Sequence, residues 1–150
     1  MDRKHVLLVD DDLHLLHSLE FILEAADFGV TTETNGEKAL EKIIVGGNDK
    51  TNPIDLLITD IQMPSLTGLQ LIDELRRMNF AIPVLVITAY GDSKLKKELA
   101  CRGCYCLDKP FSEEKMIREV FRILGKDMDL EKGKGEIAVH LNLRKEEEGG

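Results

Sequence analysis

The residues of greatest chemical interest are acids, one hydroxyl and one ammonium, each at the end of a short apolar run. Asp10, Asp11 and Asp12 follow Val6–Val9, Asp60 follows Ile54–Thr59, Thr88 closes Val84–Thr88, and Lys109 follows Tyr105–Asp108. Carboxylates crowded into one place repel each other and lose hydration. A hard divalent cation relieves both penalties. Magnesium suits such a set, because it takes oxygen ligands, keeps several waters and combines one or two carboxylates with phosphate oxygens. None of these positions is histidine or cysteine, which disfavours zinc. Asp12 is set apart from the other acids, because a strand-to-helix turn wants an aspartate as a helix cap.

These residues are far apart in sequence, so only the fold can unite them. Runs such as Val6–Val9, Ile54–Thr59 and Val84–Thr88 are short, rich in β-branched residues and bounded by polar punctuation. They read as strands buried on both faces. Gly29–Glu33 and Tyr105–Asp108 are weaker strand candidates. Between them lie amphipathic patterns. Leu15, Leu16, Leu19, Ile22, Leu23 and Ala26 mark a first helix. Ala39, Leu40, Ile43 and Ile44 mark a second, capped by Asn35 and expected to stop at Gly46-Gly47. Leu69, Ile72 and Leu75 mark a third, and Leu95 and Leu99 a thin fourth. Met116, Ile117, Val120, Phe121 and Leu124 mark a fifth, capped by Ser112. Five alternations of strand and helix predict an α/β fold, a five-stranded parallel sheet with helices on both faces. Ligands of such sheets bind beyond the carboxyl ends of the strands, where strand order reverses. The acids, Thr88 and Lys109 all fall at those ends.

The chain of 150 residues carries a formal charge of −8. That charge argues against a general nucleic-acid-binding role, since a polyanion would be repelled. No apolar run approaches the roughly 18 residues of a membrane span, and the N-terminus lacks a signal-peptide pattern. The three cysteines, Cys101, Cys104 and Cys106, are an odd number in one short segment, so we read them as unpaired, small buried residues. A cytoplasmic location follows as the expectation. From Gly125 the composition changes to a glycine-punctuated, charged segment ending in Glu146-Glu147-Glu148. We divide the chain at that point, with residues 1–124 as one domain and 125–150 as a linker or tail. Ile137, Val139, Leu141 and Leu143 alternate, a pattern compatible with an added strand over 136–143.

The motifs Val9-Asp10-Asp11, Asp60-Ile61-Gln62-Met63-Pro64 with Gly68, Thr88-Ala89 and Lys109-Pro110-Phe111 occur in this order at successive strand ends. In this the chain resembles the response-regulator receiver domain of two-component signalling, over roughly residues 4–124. The resemblance implies the flavodoxin-like strand order 2-1-3-4-5. It implies a phosphorylation-dependent switch, not an enzyme in the usual sense, in which Asp60 takes a phosphoryl group from a histidine kinase or a phosphohistidine relay protein. It implies Mg2+ held by Asp11, Asp60 and the backbone carbonyl of Gln62, with Asp10 acting through water. Thr88 would hydrogen-bond the phosphoryl group, Lys109 would pair with Asp60 and then with a phosphoryl oxygen, and the Lys109-Pro110 bond would be cis. An output partner or a second copy would dock on the face made by the fourth helix, last strand and fifth helix. That face is locally basic, with Lys94, Lys96, Lys97, Arg102, Lys115, Arg118 and Arg122.

The chain departs from the family pattern at Cys106, where an aromatic residue is usual, and at Thr67, often aspartate. Tyr105 is next door, but strand alternation points it to the opposite face. Tyr90, two residues past Thr88, is bulky enough to shield a phosphoryl group from water. Two other functions compete with the switch. A magnesium-dependent phosphohydrolase working through an aspartyl-phosphate would want an acid/base two residues after the nucleophile, and Gln62 cannot serve. A flavin carrier would want a Gly/Ser/Thr-rich first loop, not three aspartates. The chain reads either as a stand-alone receiver or as the input domain of a longer regulator.

Overall fold

A computed structural model describes residues 3–48, 53–63, 65–89 and 92–125 of the chain. Strand and helix alternate five times: β1 (His5–Val9), α1 (Leu13–Ala25), β2 (Gly29–Glu33), α2 (Gly36–Asn48), β3 (Leu56–Asp60), α3 (Gly68–Arg77), β4 (Val84–Thr88), α4 (Ser93–Cys101), β5 (Tyr105–Asp108) and α5 (Glu113–Leu124). The five strands form one parallel sheet in the order β2-β1-β3-β4-β5. The chain reverses its direction of winding between β1 and β3, which are neighbours.

The sheet is apolar on both sides because its strands alternate between two cores. Val6, Leu8, Leu56, Ile58, Leu85 and Ile87 pack with the inner faces of α1 and α5. Leu7, Val9, Leu57, Val84 and Val86 pack with α2, α3 and the single buried α4 residue, Leu99. Successive side chains on a strand point to opposite faces, so a strand covered by helices on both sides must be apolar at every position. The central strands meet that demand, and the edge strand β2 is only half-buried along its length.

The helices begin where the sequence places capping groups. Asp12 Oδ1 accepts the N–H of His14 and Leu15 at the start of α1, and Asn35 accepts from Lys38 at α2. Thr67 and Gln70 cap α3 reciprocally, with each side chain accepting the other's backbone N–H. The caps occupy N–H groups that have no partner within the helix. One boundary differs from expectation. α2 runs through Gly46-Gly47 to Asn48, because glycine lowers helix stability without forbidding helical geometry. At the other end of the chain, α5 stops where Gly125 adopts φ of 63°. Tyr90 and residues 126–150, including the alternating segment 136–143, lie outside the described residues.

Candidate functional site

Register fixes what the strand ends can share. Val9 pairs with Thr59, Asp60 with Ile87, and Thr88 with Asp108. Asp10, Asp60, Thr88 and Lys109 therefore emerge at one edge of the sheet, around the β1–β3 reversal.

Asp10 is buried to 1% exposure. Its Oδ1 accepts the N–H of Asp12 at 2.9 Å, and its Oδ2 lies 3.2 Å from Lys109 Nζ. The same ammonium lies 3.1 Å from Asp60 Oδ2. Asp60 Oδ1 accepts the N–H groups of Ile61 at 2.6 Å and of Gln62 at 3.3 Å. Asp11 is exposed, yet it offers a carboxylate oxygen to a cluster in which Asp10, Asp11 and Asp60 oxygens lie within 4.8 Å of one another. Asp10, Asp11, Asp60 and Lys109 thus come together, with Asp10 and Asp60 tied by the lysine that follows the last strand. The Lys109 N–H donates to the Thr88 carbonyl at 2.8 Å, and the Lys109-Pro110 peptide is cis. Thr88 is buried at the end of β4. Gln62 is exposed.

Electrostatics follow from this packing. Burial pushes the Asp10 carboxyl above its ordinary pKa, against the opposing pull of the Asp12 N–H and the Lys109 charge. Burial alone would lower Lys109, but the hydrogen bond to Asp60 and the charges of Asp10 and Asp60 outweigh it and hold the ammonium above its usual value. An all-carboxylate cluster of mixed burial matches a hard cation that keeps part of its water shell. Among the described residues no comparable grouping involves His14, His17 or the cysteines.

Two neighbours of Asp60 have roles that the sequence does not assign. Thr59 is fully buried and its hydroxyl donates to the Asp60 carbonyl at 2.9 Å. Gly68, known from sequence as part of a motif without a role, packs directly on that carbonyl. A Cβ there would sit 2.2 Å from the Asp60 oxygen, a distance no side chain can occupy. The cysteines also differ from expectation. Cys101 is exposed at the end of α4, Cys104 is half-buried before β5, and Cys106 is half-buried because β5 is an edge strand of four residues. Tyr105 faces away from Cys106, with the Arg122 guanidinium 5.6 Å from its ring centroid. Four of the seven basic residues on the α4–β5–α5 side are committed within the chain. Lys96 pairs with Asp108, Arg102 with Asp73, Arg118 with Glu114 and Arg122 with Glu119.

Comparison with known proteins agrees with this geometry. The family model of the response regulator receiver domain matches residues 6–121. A CpxR homolog of Haemophilus influenzae, a transcriptional regulatory protein, is 35% identical over 122 residues, covering 79% of this chain and 49% of that protein. The transcriptional regulatory protein FixJ of Azorhizobium caulinodans is 32% identical over 127 residues, covering 83% of this chain and 56% of that protein. The chain therefore spans about half the length of the curated relatives it matches. Among solved structures, the chemotaxis protein CheY4 of Vibrio cholerae superposes with a TM-score of 0.72 at 27% identity, covering 82% of this chain and 100% of that one.

Proposed function

The chain belongs to the response-regulator receiver family, and on that premise we propose that it switches signalling state by accepting a phosphoryl group onto Asp60. The observation that carries this reading is the shared ammonium, with Lys109 Nζ 3.1 Å from Asp60 and 3.2 Å from Asp10, beside a third carboxylate from Asp11.

The donor of the transfer would be a phosphohistidine of a sensor kinase or phosphotransfer protein. An Asp60 oxygen attacks phosphorus in line. The P–N bond breaks, and its electron pair returns to the donor imidazole, which takes up a proton. Asp11 and Asp60, the Gln62 carbonyl and, at one remove, Asp10 would hold Mg2+, which supplies positive charge for the phosphoryl oxygens. The chain's own groups do the rest. Lys109 neutralises the acceptor and is placed to follow the charge onto a phosphoryl oxygen. The Ile61 and Gln62 N–H groups orient the carboxylate. Thr88, at the adjacent strand end, offers a hydroxyl to the product.

The reading is a signalling domain and not a turnover enzyme. Gln62 stands where a phosphohydrolase would need an acid/base, and its amide side chain cannot donate or accept a proton in that role. We divide the chain into a receiver over 1–124 and a linker or tail over 125–150. The output partner, or a second copy of the chain, docks on the α4–β5–α5 face. No helix among the described residues is long and apolar enough to cross a membrane. The direct test is phosphoryl uptake from acetyl phosphate by the parent and by Asp60→Asn. Uptake by the parent and none by the variant is expected, and equal uptake by both refutes the assignment.

A further inference from the structure

We propose that Thr59 and Gly68 are positioning residues for the phosphoacceptor, acting through the two peptide groups that follow Asp60. The inference rests on the reading of Asp60 as the acceptor.

Asp60 Oδ1 is held by two consecutive backbone N–H groups, that of Ile61 at 2.6 Å and that of Gln62 at 3.3 Å. A peptide group is planar, so fixing its carbonyl fixes the direction of its N–H. Each of these two planes is held at its carbonyl end by a further hydrogen bond, one from the preceding residue and one from the start of α3. The Asp60 carbonyl shares a plane with the Ile61 N–H and accepts the Thr59 hydroxyl at 2.9 Å. The Ile61 carbonyl shares a plane with the Gln62 N–H and accepts the Gly68 N–H at 2.9 Å. Thr59 and Gly68 thus set the two donors that aim the reacting carboxylate.

The surroundings make the arrangement stiff. Thr59 follows Leu56-Leu57-Ile58 on β3 and is 0% exposed. A hydroxyl buried among apolar side chains is unfavourable unless it is hydrogen-bonded, and the partner it has is the acceptor residue's own carbonyl. Gly68 opens α3, whose first turn is locked by the Thr67–Gln70 capping box. A Cβ at Gly68 would lie 2.2 Å from the Asp60 carbonyl oxygen, 2.9 Å from Ile61 Cα and 3.1 Å from the Asp60 carbonyl carbon. All three are backbone atoms and cannot rotate aside. A methyl group there must move either α3 or the Asp60 peptide. With both planes fixed, Asp60 Oδ2 stays directed at Lys109, 3.1 Å away, and the carboxylate meets phosphorus already oriented. Small misplacements of a reacting group carry large rate penalties, up to about a hundredfold for roughly 1 Å.

A merely structural threonine is distinguished by substitution. Thr59→Val keeps the volume and β-branching, removes the donor and suits a buried strand at least as well. Thr59→Ser keeps the donor. The experiment measures the phosphorylation rate against acetyl phosphate concentration, with Mg2+ present, and the thermal midpoint, for the parent, Thr59→Val, Thr59→Ser and Gly68→Ala. We expect Thr59→Val to lower the limiting rate on the order of tenfold. Its half-saturating concentration and thermal midpoint should stay near those of the parent, and Thr59→Ser should restore most of the rate. Gly68→Ala should be slower still, and if it does not fold, the Thr59 pair decides the matter alone. Thr59→Val at the parent's limiting rate, or Thr59→Ser as slow as Thr59→Val, overturns the inference. A parent that takes no phosphoryl group on Asp60 overturns the proposed function instead, so the two failures are separable.

Discussion

Lys109 Nζ stands 3.1 Å from Asp60 Oδ2 although 49 residues separate them in the chain. The contact neutralises a carboxylate that would otherwise face Asp10 across a partly buried gap, and Asp10 Oδ2 shares the same ammonium at 3.2 Å. Removing the cation leaves two clustered acids uncompensated. Lys109→Met should therefore destabilise the metal-free protein by about 2–3 kcal/mol, at or just below the usual range for breaking a buried pair because the lysine retains some exposure. Mg2+ should recover much of the loss by replacing the missing charge. Urea unfolding with and without Mg2+ measures both effects, and a variant as stable as the parent without Mg2+ contradicts this account of the cluster.

Asp11 and Asp12 are adjacent but do different work. Asp11 joins the carboxylate cluster, whereas Asp12 is spent on capping α1. Mg2+ binding to the folded state should raise the parent's thermal midpoint, and the rise should grow with the logarithm of Mg2+ concentration. Asp11→Ala should abolish the rise. Asp12→Ala should keep it while losing about 1 kcal/mol of stability. Thermal melts across an Mg2+ series check this, and the reverse pattern refutes the division of labour.

His5 gives a pH dependence with a definite sign. Burial holds its imidazole below the ordinary pKa of 6.5, with the charge of Asp55 opposing, and its Nε2 lies 2.6 Å from Thr31 Oγ1. The unfolded chain therefore binds the proton first, and His5's contribution to stability is lost as pH falls from 6.5 toward the lower folded value. The loss between pH about 7.5 and about 5.5 should be smaller in His5→Gln than in the parent. Equal losses in denaturant titrations at the two pH values would show that the ring titrates normally.

The signal is expected to reach α4 through the segment after Thr88, since Cys106 on β5 has no ring to follow a moving Thr88. Cys106 pairs in register with Val86 and packs at the margin of the core that holds Leu99 of α4. Tyr105 points the other way, under Arg122. Amide exchange with and without beryllofluoride, a phosphoryl mimic, should show altered protection at Thr88 and through residues 92–97, and Cys106→Ala should leave that change intact. Loss of the change in Cys106→Ala would show that the thiol couples the site to α4.

Much of this was readable from the chain before folding, and the reason is local. Runs such as Val84–Thr88, short, β-branched and with no polar residue before the terminal threonine, read as strands covered on both faces, and the acids and lysine that end them announce the site edge. Strand order was not readable from periodicity, which says nothing about neighbours. It came from the resemblance carried by Asp10-Asp11, Asp60, Thr88 and Lys109. The roles of Thr59 and Gly68 were invisible for a different reason. Both act on backbone carbonyls: Thr59 bonds that of the next residue, which its type alone does not announce, and Gly68 meets those of Asp60 and Ile61 through the way α3 approaches β3. For the cysteines, small size does not imply burial: Cys104 just before and Cys106 on the four-residue edge strand β5 are only half-buried.

The central claim is that Asp60 carries the phosphoryl group and needs Mg2+ to acquire it. Incubation with acetyl phosphate followed by peptide mass spectrometry tests it most directly. The account predicts one added phosphoryl group, on the peptide containing Asp60, absent in Asp60→Asn and strongly reduced by EDTA. A phosphoryl group found on another residue of the parent, or one formed at the same rate in EDTA, would contradict it.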